Sequence, residues 1–390
     1  MPHLPPRSAM PEFQRIGMLS TFPPQLCGLA TFAAALGSEL RRAGHHVDVV
    51  RIDDGSGLDP MTAPVVADLV NGVAASVRKA AAVLSRCDVA IIQHEYGIFG
   101  GVDGDEVIDL LAALTVPSIV VLHTIPLHPT PNQKVVLERV CDIADRVVVM
   151  TATGFARLEM LYAVDQSKVA VIPHGAASPS LASLSAEAVG TERPQLLTWG
   201  LLGPGKGIEH VIDAMSLLAD LRPRPRYTVA GVTHPKVFAR HGDEYRHALI
   251  QRAWAHGVAN TVIFDDSYRN VATLTRFVAA ASVVVLPYDS RDQVTSGVLV
   301  DAIAAGRPVI ATAFPHAVEL LGSGAGIVVP HGDPVALADA IRIAVCDHDA
   351  LAAMAAEARA IAPSLKWSAV AEQYLQLSSG ICPQSESVAM

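Results

Sequence analysis

The chain has 390 residues, 51% of them hydrophobic and 17% charged. At roughly 150 residues per domain that is enough apolar material for two cored domains, and it argues against a disordered chain. The net charge of −9 and the lack of a long Lys/Arg cluster argue against a nucleic-acid partner and against strong attraction to anionic lipid. Aromatics at 5% suit helices packed on a Val-rich sheet better than a β-sandwich.

Residues 1–14 hold several prolines and no apolar stretch of signal-peptide type, so they are expected to form a flexible leader. Arg15–Ser20 is a predicted strand ended by a Pro-Pro turn. Ala30–Ala43 has helical periodicity, and Val47–Ile52 is the next strand. The Gly/Asp/Pro stretch Asp53–Pro64 predicts a loop, and Val65–Ser85 a helix. Val89–Gln93, Ser118–Leu122, Arg146–Met150 and Val169–Ile172 are further buried strands, with helical spacers between most of them. Strands of β-branched residues alternating with helices imply βαβ units and a mainly parallel sheet, here a first Rossmann-like domain over 15–175.

Residues 176–194, rich in Ala, Ser and Pro, are expected to be a linker. The pattern then restarts over 195–365. Strands are predicted at Gln195–Trp199, Arg226–Ala230, Val262–Phe264, Val283–Leu286, Pro308–Ala311 and Gly326–Val329. Helices are predicted at Gly207–Ala219, Glu244–His256, Val271–Ala280, Val298–Ala305 and Pro334–Cys346. A last helix over 366–378 carries Trp367, Val370, Ala371, Tyr374 and Leu377 on one face and needs a surface to pack on. Residues 379–390 are expected to be a flexible tail. The fold class is α/β: two doubly wound Rossmann-like domains facing an interdomain cleft.

The longest near-apolar run, Phe277–Leu286, has ten residues, about half a membrane span. The five cysteines, Cys27, Cys87, Cys141, Cys346 and Cys382, are scattered and form no Cys-x-x-Cys pair. Neither a disulfide framework nor a thiolate zinc site is indicated, and a reduced, cytoplasmic location is expected.

Ligands of open parallel sheets bind beyond the carboxyl ends of the strands, so the loops there carry the candidates. Gln25–Gly28 leads into the first helix; the amides near Gly28 suit a phosphate oxygen, or the glycine merely lets the chain turn. His94, Glu95 and Tyr96 open a polar, glycine-rich loop. They would orient sugar or acceptor hydroxyls, or His94 and Glu95 would simply hold each other. A metal site is not expected, since no helical His-x-x-x-His partner is present. His123 ends the strand SIVVL and can donate or accept a hydrogen bond near neutral pH.

In the second half, the loop Trp199–Gly207 brings Gly205 and Lys206 to the end of a strand. It reads as a diphosphate cradle, or as a tight turn with a solvated lysine; it is not a Walker A loop. Thr295, Ser296 and Gly297 precede a helix, where they would cap it or leave its amides open to an anion. Asp301 lies in that helix within the apolar run GVLVDAIAAG. A carboxylate there needs a partner, either ribose hydroxyls or a protein donor.

From about Arg15 to Leu377 the chain resembles the family-4 retaining glycosyltransferases, as a divergent member with the two-domain GT-B architecture. The residues that carry the resemblance are the glycine turn with Ala43-Gly44-His45-His46-Val47-Asp48-Val49-Val50, Val171-Ile172-Pro173-His174-Gly175, Gly205-Lys206-Gly207, and the run Val300 to Ile310 (VDAIAAGRPVI). The closing helix is similar to the family's last helix, which crosses back onto the first domain. The resemblance implies that the Gly28 amide meets a donor diphosphate and that His123 sits near the transferred sugar. It also implies that Lys206 neutralises the diphosphate and that Asp301 holds the ribose. Two departures stand out. The family's two Glu, eight positions apart, are Gln293 and Asp301 here, and the family's Arg in the glycine loop is Leu201, with Arg291 or Arg269 as nearby substitutes.

The function so implied is a metal-independent retaining transferase that moves a hexose from a nucleotide-diphospho-sugar, of GDP-mannose or UDP-glucose type, to a carbohydrate or other hydroxyl acceptor. The nucleotide-sugar is a co-substrate and no cofactor is expected. Peripheral membrane contact and oligomeric state stay open. The alternatives are a retaining glycoside phosphorylase on the same fold, motivated by Leu201 and Gln293, and a non-catalytic protein that binds a sugar nucleotide or glycan.

Overall fold

The computed structural model describes residues 14–25, 27–53, 60–177, 193–267 and 269–382. The expected leader up to residue 13, residues 178–192 of the expected linker and residues 383–390 of the expected tail lie outside the described residues, as does Leu26 of the first loop. The chain divides into two compact units. One gathers Met1–Met150, Gly154–Ile172 and Val370–Met390; the other gathers Thr151–Thr153 and Pro173–Ala369. No described helix is long and apolar enough to cross a membrane.

The first unit holds β1 (Arg15–Ser20), α1 (Gly28–Arg42), β2 (His46–Asp53), β3 (Val65–Val70), α2 (Ala74–Leu84), β4 (Val89–His94), α3 (Glu106–Ala112), β5 (Ser118–Leu122), α4 (Pro131–Ile143), β6 (Arg146–Val149), most of α5 (Ala152–Leu161) and β7 (Val169–Val171). Its seven strands pair in parallel in the order β3-β2-β1-β4-β5-β6-β7. Strand β4 is buried along its whole length, as expected for a parallel sheet covered on both faces.

The predicted helix Val65–Ser85 is a strand followed by a helix. Val65, Ala67 and Leu69 are buried and their neighbours more exposed, the period of two that marks a half-buried strand. Asp68 is paired with Arg51 of β2, Nε to Oδ1 2.7 Å, and the guanidinium side chain is only 3% exposed. Asn71-Gly72 then turns the chain, with Gly72 at φ +75°, before α2 begins.

The second unit repeats the plan. It holds β8 (Gln195–Trp199), α6 (Ile208–Ser216), β9 (Arg226–Ala230), α7 (Pro235–His241), α8 (Glu244–Ala255), β10 (Val262–Asp265), α9 (Val271–Ala279), β11 (Val283–Leu286), α10 (Gly297–Ala304), β12 (Val309–Thr312), α11 (Pro315–Leu321), β13 (Gly326–Val329), α12 (Pro334–Cys346) and α13 (His348–Ile361). The sheet order is β10-β9-β8-β11-β12-β13, again all parallel. Alternate residues of β11 serve two cores. Val283 and Val285 join Ile208, Val211 and Ile341 on one face; Val284 and Leu286 join Leu299, Ile303 and Phe314 on the other. The final helix, α14 (Trp367–Ser379), begins in the second unit and belongs to the first from Val370 onward. There the Ser378 hydroxyl donates to Gln14 Oε1 at 2.9 Å, and Val370 and Tyr374 are buried.

Candidate functional site

In both sheets the strand order reverses direction beside the first strand, between β1 and β4 and between β8 and β11. Such a reversal splays the loops apart at the carboxyl ends and leaves a crevice for a ligand. Gly28 follows β1, His94 ends β4 with Glu95 and Tyr96 just after it, Lys206 follows β8, and Gln293–Gly297 follow β11. The candidates thus gather at the two reversal points, one group in each unit.

In the first unit, Gly28 is the first residue of α1, and an added Cβ would meet nothing within 4 Å. Packing therefore places no demand on a glycine here, and the amides stay approachable. The Cys27 thiol caps the helix, accepting from the Ala30 amide at 3.4 Å. His123 is half-buried after β5. Its Nε2 lies 2.7 Å from Gln93 Oε1, and its ring meets Phe32 edge-on at 5.0 Å. An amide oxygen only accepts, so His123 carries its proton on Nε2 in this pairing.

His94 is 0% exposed, edge-on to Tyr96 at 5.2 Å and stacked with Phe99 at 6.4 Å. Neither of its ring nitrogens has a hydrogen-bond partner among the described residues, and burial pulls its pKa down to about 4. The ring offers no atom to solvent. The mutual His94–Glu95 bond does not form: the Thr124 hydroxyl donates to Glu95 instead. The Tyr96 hydroxyl donates to the Gln133 carbonyl at 3.2 Å. Of these three candidates only Glu95 is part-exposed.

In the second unit, Gly205 has φ +88° with open space above it, while a side chain at Gly207 would collide with the Pro287 carbonyl. The glycines let this loop run tight against β11's exit, where the Asp289 amide donates to the Gly205 carbonyl at 3.0 Å. Lys206 Nζ sits 4.7 Å from the centroid of the Tyr288 ring, an electrostatically favourable seat. No carboxylate pairs with it among the described residues, and burial lowers its pKa. Gln293 Nε2 donates to the Thr295 carbonyl at 2.9 Å, and the Ser296 hydroxyl accepts from the Leu299 amide at 3.3 Å, capping α10. One turn into that helix, the Asp301 carboxylate has no protein donor among the described residues. Desolvation pushes its pKa up to about 7.

Several neighbours of these groups were not evident from the sequence. Gln93 orients His123, and Tyr288 lies under Lys206. His316, at the start of α11, accepts the Ser296 amide on Nδ1 at 2.8 Å. His174 presses on Gly297 from another side: an added Cβ there would come within 2.9 Å of its Nε2. Glu209, His210 and Asp289 bring ligand atoms within 4.8 Å of one another and are the group able to hold a metal ion among the described residues. His210 Nε2 is 3.1 Å from Asp289 Oδ1, and Glu209 accepts from the Tyr245 hydroxyl at 2.8 Å. Of the two arginines expected to substitute at the position of Leu201, Arg269 is paired with Asp265 and stacked 4.0 Å from the Phe277 ring. Arg291 is exposed.

Residues 27–177 match the family described as Glycosyltransferase Family 4, and residues 184–361 match Glycosyl transferases group 1. A D-inositol 3-phosphate glycosyltransferase of Jonesia denitrificans is 28% identical over 266 residues, 63% of this chain and 60% of that protein. One of Thermobispora bispora is 28% identical over 255 residues, 62% of this chain and 57% of that protein. The matched region thus spans about 60% of the length of these curated relatives. Among solved structures, HepE of Anabaena in complex with UDP superposes with a TM-score of 0.72 at 17% identity, covering 94% of this chain and all of that one. Sucrose-phosphate synthase of Thermosynechococcus elongatus gives 0.73 at 20%, covering 93% and 98%. With two parallel α/β sheets that share one order over six strands, the first adding a seventh at its edge, and a family match in each half, the chain belongs to glycosyltransferase family 4 as a divergent member with the GT-B fold.

Proposed function

We propose that the protein is a retaining glycosyltransferase that moves a hexose from a nucleotide-diphospho-sugar, of GDP-mannose or UDP-glucose type, to a hydroxyl acceptor in the cytoplasm. One observation carries this reading. In the same unit Lys206 and Asp301 are both desolvated, of opposite charge, and without an ion-pair partner among the described residues. Uncompensated burial of a charge is costly. A nucleoside diphosphate removes the cost at both places, with phosphate oxygens on the ammonium and ribose hydroxyls donating to the carboxylate.

In this reading the amides of Gly205, Thr295 and Gly297 join Lys206 on the diphosphate, the Ser296 amide being held by His316, and Gln293 hydrogen-bonds the sugar. Gly28 and His123 keep the roles implied by the family resemblance. As the bond from the sugar C1 to the phosphate oxygen breaks, the acceptor oxygen bonds C1 on the same face. Its proton passes to the departing phosphate oxygen, whose growing charge Lys206 offsets. No protein nucleophile is needed, and a metal is not obligatory because Lys206 and Arg291 supply the cations.

A thermal-shift screen with UDP, GDP, ADP, their sugar conjugates and inorganic phosphate tests the reading. A ligand at one hundred times its Kd adds about 2.7 kcal/mol, so one nucleotide should stand out. With that donor, product formation from hydroxyl acceptors, D-inositol 3-phosphate among them, is followed by NMR at the anomeric carbon. Retention and an unchanged rate in EDTA are expected. Inversion, or a rate that requires Mg²⁺ or Mn²⁺, overturns the mechanism. A response to phosphate and free sugars alone points to the phosphorylase, and binding without product to the non-catalytic reading.

A further inference from the structure

We propose that His316 is a positioning residue that fixes the 293–297 loop through the lone pair on its Nδ1. The inference rests on the reading of that loop as the donor site. The Ser296 backbone N–H can only donate, and it lies 2.8 Å from His316 Nδ1. The imidazole is therefore an acceptor at this atom and carries its proton on Nε2. The same residue ties the other end of the loop, because its own amide donates to the Gln293 carbonyl at 3.4 Å. One side chain and one amide of α11 thus span the segment that holds Gln293, Thr295, Ser296 and Gly297.

The surroundings favour the neutral ring. His316 is 4% exposed, and the ring points at the N-terminal end of α10, whose partial positive charge disfavours imidazolium. The titratable groups bearing on it are His174, which also disfavours a second positive charge, and Glu319 of α11, which favours it. His174 Nδ1 lies 2.7 Å from the Gly175 carbonyl, so it is the donor there. The two imidazoles hold opposite tautomers on two sides of the Ser296–Gly297 step, one accepting from the loop and one packing on it. No protein side chain other than His316 accepts the Ser296 amide among the described residues.

The test uses the full chain and two substitutions that differ in where they place an acceptor. In His316→Asn, Oδ1 hangs from Cγ as Nδ1 does; in His316→Gln the acceptor lies one bond farther out. Two readouts are taken at pH 7.5: hydrogen exchange at the Ser296 amide in the ligand-free protein, and affinity for UDP and GDP by calorimetry. The His316→Asn protein should exchange within about threefold of wild type, and His316→Gln roughly tenfold faster or more, the scale of one lost buried hydrogen bond. Donor-nucleotide affinity should fall in the same order. Equal exchange in wild type and His316→Gln overturns the proposal. So does fast exchange in His316→Asn when its Tm matches wild type. If exchange follows the acceptor pattern but no variant, wild type included, binds a nucleotide, the clamp stands and the donor reading falls.

Discussion

Asp301 and Lys206 are paired in function only if their unpartnered charges matter, and each can be removed separately. A carboxyl whose folded pKa is raised to about 7 holds protons that the unfolded chain has already lost above about pH 4. Stability therefore falls as pH rises through that window, and the full cost is present above pH 7. Asp301→Asn should raise the ligand-free Tm at pH 8, by roughly 1 kcal/mol of stability, while weakening nucleotide binding. It should also erase a gain in wild-type nucleotide affinity between pH 6 and 8, which calorimetry at several pH values would reveal. A lower Tm in the variant would mean that the carboxylate has a stabilising partner. Lys206→Ala should cut turnover roughly 100-fold, the scale of losing one group that stabilises a leaving anion, with circular dichroism unchanged. An unaltered rate would remove Lys206 from the phosphate.

At the scale of elements, the strands, the glycine loop and the capped start of α10 were legible because each depends on local chemistry. Gly205 and Gly207 mark a turn of positive φ, and Ser296 three residues before Leu299 marks a cap. Where the partner is distant in sequence, the signal fails. Asp68 reads as a surface residue on a helix until the parallel register of β3 on β2 places Arg51 opposite it. His94 reads as a ligand-facing residue at a strand end. Only the rings of Tyr96 and Phe99 reveal it as part of the core. His316 has no local signature, because its partner is an amide twenty residues earlier. Two variants probe these elements. Asp68→Ala removes the carboxylate bonded to the buried Arg51 guanidinium and should cost about 2 kcal/mol in chemical denaturation, the scale of one charge-assisted hydrogen bond. Ser296→Ala removes the cap of α10 and should cost about 1 kcal/mol. An Asp68→Ala chain as stable as wild type would mean that β3 is held by its apolar face alone.

For the molecule as a whole, acid is the expected weakness, and it acts on both units. His94 in one, and His174 and His316 in the other, each have a pKa drawn down to about 4 by burial. In the unfolded chain such rings take up protons near pH 6.5. The unfolded state then binds more protons between about pH 6.5 and 4, so stability is complete above that window and is lost as pH falls through it. Each ring contributes up to about 1.4 kcal/mol per pH unit. Urea midpoints at pH 7.5, 5.5 and 4.5 should fall steadily, and His316→Asn should flatten the slope. A midpoint independent of pH would mean that the rings become solvated without unfolding.

The split membership of α14 bears on the order in which the protein can be made. From Val370 onward that helix belongs to the first unit, where Ser378 meets Gln14 and Tyr374 is fully enclosed. A ribosome finishes Ile172 and must then translate the entire second unit before those residues emerge, a delay of roughly 10–40 s at ordinary elongation rates. During that interval the first unit lacks its last stretch of chain, while the second unit, apart from Thr151–Thr153, lies in one continuous stretch. The second unit is thus placed to finish folding before the first, although it is synthesised after it.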